Sequence, residues 1–363
     1  MSESAESRQD MFSGTKEVAE THKFEEAKLE QYMQAHVEGF EGPLEVRQFK
    51  GGQSNPTYQL VTPGKKYVMR RKPPGKLLPS AHAVDREYKV ITALHSIGFP
   101  APKTYCLCED ENIVGTMFYI MDMVEGRVLW DPMLPGFDPQ TRRKMYESLA
   151  HTMADLHMVD YEKIGLGDFG KPGNYFARQI SRWSKQYVAS ETETIPEMNK
   201  LMEWLPEHVP DDSSTSIVHG DYRMDNTVMH PTEPRVVAVL DWELSTLGHP
   251  LADFTYSMLQ WVMPQIGDGA GVATIATADL ASLGIPTLEE YVQLYCERTN
   301  RPGIDNLDYY FAFNFFKLAG ILQGIVGRVR DGTASSAHAE EQAARVKPLA
   351  QTAWKFAQQA GAM

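Results

Sequence analysis

Apolar and polar residues alternate in short runs through the early part of the chain and recur every three to four positions through most of the rest. Leu44–Phe49, Thr57–Val61 and Tyr67–Arg71 read as strands; the first two flank the turn-rich GGQSNP and the third follows PGK. The segment KPPGKLLPS cannot extend them, because three prolines remove ladder donors. Val84, Tyr88, Ile91 and Leu94 then keep a spacing near 3.6 and stop at Gly98, which predicts an amphipathic helix. Lys103–Cys108 and Phe118–Met123 add two strands, so residues 44–123 predict a five-stranded antiparallel sheet carrying one helix. Ahead of the sheet, about Lys16 to Val37 predicts a helix closed by Gly39, and residues 1–15 read as a disordered tail.

The period changes after Gly126. WDPMLPGFDP is a connector, and helical spacing dominates beyond it: Met145, Leu149, Met153 and Leu156 mark one helix. Others are predicted at about Tyr175–Ser190, Met198–His208, Leu251–Val262, Leu288–Thr299 and Leu307–Arg330, with a last one ending the chain. Only Ser216–Leu240 departs from this, with short β-rich pieces at Ser216–Val218, Thr227–Met229 and Val236–Leu240. The expected class is α+β in two lobes, a sheet-rich one at 16–123 and a mainly helical one at 124–363. Phe311–Val329 is the most apolar stretch, but Asn314, Lys317, Gln323 and three glycines interrupt it. A membrane span takes ~20 mostly apolar residues, so a buried helix and no membrane partner are expected.

Composition narrows the function. A net charge of −13 over 363 residues argues against a nucleic-acid groove, which needs clustered Lys and Arg. Cys106, Cys108 and Cys296 offer neither a disulfide framework nor a zinc site, and the polar N-terminus lacks the apolar core of a signal peptide. A cytoplasmic setting is the simplest expectation; oligomeric state is left open.

The segment IVHGDYRMDNTVMHPTEPRVVAVLDWE, residues 217–243, carries the chemistry. An apolar strand runs into His219-Gly220-Asp221, four residues separate Asp221 from Asn226, and a second apolar strand delivers Asp241. Phosphoryl transfer calls for this set: one aspartate on a loop to orient a hydroxyl and take its proton, and oxygen ligands to hold Mg²⁺ against phosphates. Gly220 permits the tight backbone path that turns Asp221 outward.

HGDYRMDN followed by LDWE resembles the HGD-x-x-x-x-N and D-W/F-E pair of the aminoglycoside phosphotransferase family, whose members share the protein-kinase fold. The resemblance implies a two-lobed kinase-like fold, with ATP and Mg²⁺ as cofactors. It also implies Asp221 as catalytic base, Asn226 and Asp241 as metal ligands, and His219 as a support. Arg223, two positions after Asp221, is grouped with it as a catalytic candidate.

The sheet-rich lobe should then hold the nucleotide. In FKGGQSNPTYQL, Gly51 and Gly52 would bring backbone N–H groups to phosphate, with Ser54 and Asn55 beside them. In YVMRRK, Arg70 stands where kinases place a lysine, and we pair it with Glu87 of VDREY. Lys72 shares the same strand face, and a two-residue shift of register keeps that face, so the pattern leaves Lys72 as the alternative. YIMDMVEG resembles the hinge, where backbone groups around Asp122 to Val124, flanked by Met121 and Met123, would meet adenine. Asp253 in GHPLADF is expected to hold the catalytic loop.

RRKPPGKLLPSAHAVDREY and GDFGKPGNYFARQISRWSKQY, with HGDYRMDN, are similar to the phosphotransferase domains fused to acyl-CoA dehydrogenases in some eukaryotes, over roughly residues 40–330. That branch implies a hydroxyacyl-CoA or hydroxy acid as acceptor. Arg178, Arg182 and Lys185 fall at i, i+4 and i+7 on one helical stripe, which also suggests an anionic small molecule. Two other readings compete: a nucleotide-binding pseudokinase acting as an interaction module, and a metal-dependent phosphohydrolase built on His219, Asp221 and Asp241.

Overall fold

The computed structural model describes residues 13–50, 55–75, 82–211, 213–266, 274–331 and 339–363. The chain divides into two compact units that are not contiguous in sequence. The first comprises 1–137, 161–167 and 223–245; the second comprises 138–160, 168–222 and 246–363. The expected lobes, 16–123 and 124–363, are contiguous, so they miss the segments that return to the first unit.

The first unit is built on an antiparallel sheet of β1 (Thr15–Lys16), β2 (Glu45–Phe49), β3 (Thr57–Val61), β4 (Lys66–Arg71), β5 (Thr104–Cys108) and β6 (Phe118–Asp122), in the order β1-β2-β3-β4-β6-β5. The five expected strands are present and β1 is a sixth. Residues 1–12 of the expected tail lie outside the described residues. Thr15, however, pairs with Phe49, and Gly14 O accepts the Lys50 amide at 3.1 Å. The expected helix over 16–37 shrinks to α1 (Glu26–His36). Its missing start wraps the sheet edge instead: Gln48 Oε1 accepts the Ala19 amide at 3.1 Å, and Arg71 donates to His22 O at 2.8 Å. A strand edge offers those partners only after folding, which helix propensity does not register.

Period-2 alternation sorts the sheet into two faces. Tyr58, Leu60, Met69, Phe118 and Ile120 pack on Leu29 and Met33 of α1, all fully buried. Truncating a core residue such as Leu29 to alanine costs ~2–5 kcal/mol. The opposite face carries Val68, Arg70 and Tyr119, and α2 (Val84–Ser96) brings Glu87, Ile91 and Leu94 into the interior of the same unit. The returning segment is a hairpin of Thr227–Met229 and Val236–Val239, and buried Trp242 ties its end by donating Nε1 to Val239 O at 2.9 Å.

The second unit is helical: α3 (Pro139–His157), α4 (Tyr175–Ser190), α5 (Pro196–Glu207), α6 (Pro250–Ser257), α7 (Leu288–Arg298), α8 (Leu307–Arg330) and α9 (Ala339–Gln359). Asp138 caps α3 by accepting the Thr141 amide at 3.0 Å, and Thr287 with Glu290 forms a capping box on α7. Ser216–Val218 pairs with Thr246–Gly248, a strand that the pattern does not reveal. The helix expected over 251–262 breaks at Met258 into α6 and a further turn, Leu259–Val262. Helix α8 is long and apolar enough to cross a membrane by composition, yet most of it is buried inside this unit, as expected. Close helix approach explains its glycines. A Cβ at Gly327 would lie 2.5 Å from the Ser190 side chain of α4.

Candidate active site

A cleft of about 770 Å³ opens in the first unit, a volume suited to a nucleotide-sized ligand. Strand β4 presents Arg70 to it and β6 presents Tyr119 and Met121, while Asn226 and Asp241 reach it from the returning segment. Arg70 is 8% exposed and forks between carboxylates. Its Nη2 donates to Asp241 Oδ1 at 2.9 Å and lies 3.8 Å from Glu243 Oε2. Its Nε is 3.2 Å from Glu87 Oε2, an ion pair without hydrogen-bond alignment. Glu87 is fully buried, and its oxygens accept from Asn55 Nδ2 at 2.9 Å and from Tyr119 OH at 3.0 Å.

Burial opposes the charge on Arg70, but Glu87, Asp241 and Glu243 outweigh it and hold the guanidinium above its ordinary range. Burial pushes the Glu87 carboxyl up, with Arg70 pulling the other way. Three carboxylates around one guanidinium make a site whose cation is outnumbered. Asp241 takes φ +64°, a left-handed conformation that costs a non-glycine residue energy, and its side chain is 34% exposed. Strain of this kind concentrates where a side chain must be aimed.

In the second unit the loop after Ser216–Val218 is anchored from behind. Asp253 of α6 accepts the His219 amide at 2.6 Å and the Gly220 amide at 2.8 Å, and it lies 3.3 Å from His157 Nε2. Burial works against the charge on Asp253, but His157, His219 and the Gly220 amide win and hold its carboxyl below the ordinary value of 3.8. His157 in turn meets Tyr295 OH at 2.8 Å. Gly220 has φ +87°, which turns the chain so that the half-buried Asp221 accepts from Tyr256 OH at 3.0 Å.

The structure sorts the expected residues. Arg70, not Lys72, faces the cleft with Glu87 beside it; Lys72 Nζ sits 3.9 Å from Asp85, partly exposed. Asn55 is fully buried and braces Glu87, with its Oδ1 2.9 Å from His82 Nδ1. Gly51, Gly52 and Ser54 lie outside the described residues. Met121, Asp122 and Met123 line the cleft, but the Asp122 amide donates to Lys103 O at 2.8 Å and the Met123 amide to Lys66 O at 3.4 Å. The Asp122 carboxylate is held by Lys65 at 2.8 Å and Tyr105 at 2.5 Å. Those two amides and that carboxylate therefore serve the sheet. Arg223 Nη2 lies 3.1 Å from Asp225 Oδ2.

The basic stripe divides by its contacts. Arg178 donates to Gly173 O and, at 2.6 Å, to Lys171 O, so its fork holds the turn before α4. Arg182 is exposed and stacks over Trp183 at 5.2 Å, and Lys185 is exposed. Sequence reasoning missed Glu243, Tyr256, Lys317 and the cleft-lining Ser13, Gly14 and Thr15. Glu243 was legible as the last letter of LDWE; the others had no local signal.

Comparison with known proteins shows the family. Residues 45–291 match the phosphotransferase enzyme family. Mouse acyl-CoA dehydrogenase family member 10 is 43% identical over 348 residues, 96% of this chain but 32% of its own length; the chain thus spans about a third of that relative. A crystal structure from Ralstonia eutropha JMP134, named as an aminoglycoside phosphotransferase, is 54% identical and covers 93% of this chain and 99% of its own, with a TM-score of 0.84. A thermostable mutant of another aminoglycoside phosphotransferase, in ternary complex with AMP-PNP and hygromycin B, is 15% identical, covers 91% of this chain and 98% of its own, and shares the fold at a TM-score of 0.59. A two-lobed, kinase-like fold, the loop motif and the extent of the match lead to one assignment: the chain belongs to the phosphotransferase enzyme family.

Proposed function

We propose that the protein transfers the γ-phosphoryl group of ATP to a hydroxyl of an anionic small molecule. The observation that carries this reading is Arg70, a buried guanidinium forked between Glu87 and Asp241 on the wall of a nucleotide-sized cleft. A permanent cation aimed into a cleft is suited to phosphate oxygens. The AMP-PNP bound by a family fold-mate supports a nucleotide as its partner.

Asn226 and Asp241 would hold Mg²⁺. Both line the cleft and offer hard oxygen donors, and Mg²⁺ bound with phosphates takes only one or two carboxylates from the protein. When bound, the ion supplies neutralisation of charge on the phosphate oxygens. The chain's own part is to position. Arg70 draws the triphosphate, and Asp221 orients the acceptor hydroxyl and takes its proton as the oxygen attacks phosphorus and ADP leaves. His219 Nδ1 accepts the Asp221 amide at 3.2 Å, which suits a support of the loop, and family membership favours phosphoryl transfer over the hydrolase reading.

For the acceptor, the likeness to acyl-CoA dehydrogenase family members favours hydroxyacyl-CoA esters over free hydroxy acids, and exposed Arg182 and Lys185 would suit their negative charge. An ADP-release screen over hydroxyacyl-CoAs, free hydroxy acids, choline-like alcohols, amino sugars and aminoglycosides tests this. Asp221→Asn should lower kcat ~10²–10⁴-fold with nucleotide affinity retained. Bound ATP without turnover of any acceptor would instead favour the interaction-module reading.

A further inference from the structure

Helix α8 carries a lysine in the middle of its buried stretch. Lys317 is 8% exposed and follows Phe315 and Phe316, both fully buried. An apolar side chain would fill the same space without removing an ammonium from water, which is costly unless the charge is used. Its Nζ donates to Gly220 O at 3.4 Å and lies over the Tyr256 ring, 4.8 Å from the centroid. Asp253 Oδ1 holds the Gly220 amide at 2.8 Å. The residue before Asp221 is therefore gripped at both ends, by a carboxylate on its N–H and an ammonium on its C=O. The Tyr256 ring under that ammonium sends its hydroxyl to Asp221 Oδ1 at 3.0 Å.

We infer that Lys317 and Tyr256 are positioning residues for Asp221, the first clamping its backbone and seating the phenol, the second fixing its carboxylate. The inference rests on Asp221 as the group that takes the acceptor proton. The charged and titratable groups around Lys317 are Asp253 and Tyr256 of α6, Asp221 on the loop and Arg182 of α4. Burial lowers the proton affinity of Lys317 below the ordinary lysine value of 10.5, Asp253 and Asp221 oppose that, and Arg182 adds to it. The ammonium is present below its folded-state pKa and lost as pH rises through it, so turnover should fall at lower pH than an ordinary lysine would dictate.

The test compares Lys317→Met, Tyr256→Phe and Asp221→Asn with the wild type. It measures ADP release from MgATP with the best acceptor of the screen, or with water where none is turned over, together with MgATP affinity and Tm. Lys317→Met should raise Tm while lowering kcat about tenfold, the scale of a lost orienting contact, and its kcat should lack the alkaline fall. Tyr256→Phe should lower kcat by about as much and keep that fall. MgATP affinity should stay within about twofold in both. Wild-type kcat or a retained alkaline fall in Lys317→Met overturns the inference, as does a lowered Tm with a matching loss of MgATP affinity. If Lys317→Met does not fold, undiminished kcat in Tyr256→Phe overturns it. Full activity in Asp221→Asn would sink the functional reading itself; an inactive Asp221→Asn beside an unaltered Lys317→Met would sink only this inference.

Discussion

The two units hold their candidate aspartates in opposite ways. In the sheet unit, Asp241 is tied to Arg70 by one charged contact at 2.9 Å, and Glu87 and Glu243 compete for the same guanidinium. In the helical unit, the chain leading to Asp221 is tied through backbone amides to Asp253, and Asp221 itself accepts a phenol. A ligand carrying its own charges can replace an ion pair between side chains. It cannot replace hydrogen bonds to backbone amides behind a loop. The contrast fits the proposed tasks, since a metal ligand must exchange partners when MgATP arrives and a base must keep one geometry.

The largest effect should come from removing the cation of the first network. Arg70→Met leaves Glu87 buried without its counter-charge and should cost ~3–5 kcal/mol of stability, whereas Lys72→Met, at a partly exposed pair, should cost under about 1 kcal/mol. Urea denaturation of both variants checks this; equal losses would mean that the Arg70 network is not the keystone of the site.

Asp241→Ala should weaken MgATP binding about 100-fold, ~2.7 kcal/mol, and Asn226→Ala less, with partial recovery at raised Mg²⁺. Calorimetry that finds unchanged affinity in Asp241→Ala removes it from the metal site. Asp253→Asn should cost ~1–3 kcal/mol, because one amide loses its acceptor in a buried place. Its carboxyl is depressed in the fold, so its stabilisation is fully present above 3.8 and lost as pH falls through the folded-state value. Thermal denaturation from pH 6 down to pH 2 should therefore show a shallower loss in Asp253→Asn than in the wild type; parallel curves would contradict the assignment. The smallest effect is expected at the surface, where Arg182→Ala should raise acceptor KM about threefold and leave the KM for ATP alone. Arg178→Ala should instead cost stability with no change in acceptor KM, and the reverse pattern would restore Arg178 to the acceptor site.

Part of this site is legible before folding. HGDYRMDN between two apolar runs announces Asp221 and Asn226, because a strand end and a glycine are local features. Asp253 was legible as a support for the loop from its place in GHPLADF, though not its distances. The face of β4 that carries Arg70 was legible from period 2, but the same alternation extends to Lys72 just past the strand, and only the positions of Glu87 and Asp85 on α2 separate the two. The contacts of Arg178 were not legible, since helical spacing places a side chain on a stripe without saying whether the preceding turn will claim its donors.

By itself, then, the sequence determined most of the order of strands and helices, the candidate loop at Asp221 and the acidic balance of the chain. These depend on periodicities and compositions that a short window contains. Tertiary structure alone decided that Thr15 and Lys16 join the sheet and that Asp241 meets Arg70 across 171 positions of chain. It also decided that Lys317, an interruption in an apolar run, meets the loop 97 positions earlier. The physical reason is the same each time. A buried charge is tolerated only where partners converge on it, and the chain brings those partners together by packing distant segments, which no local pattern encodes.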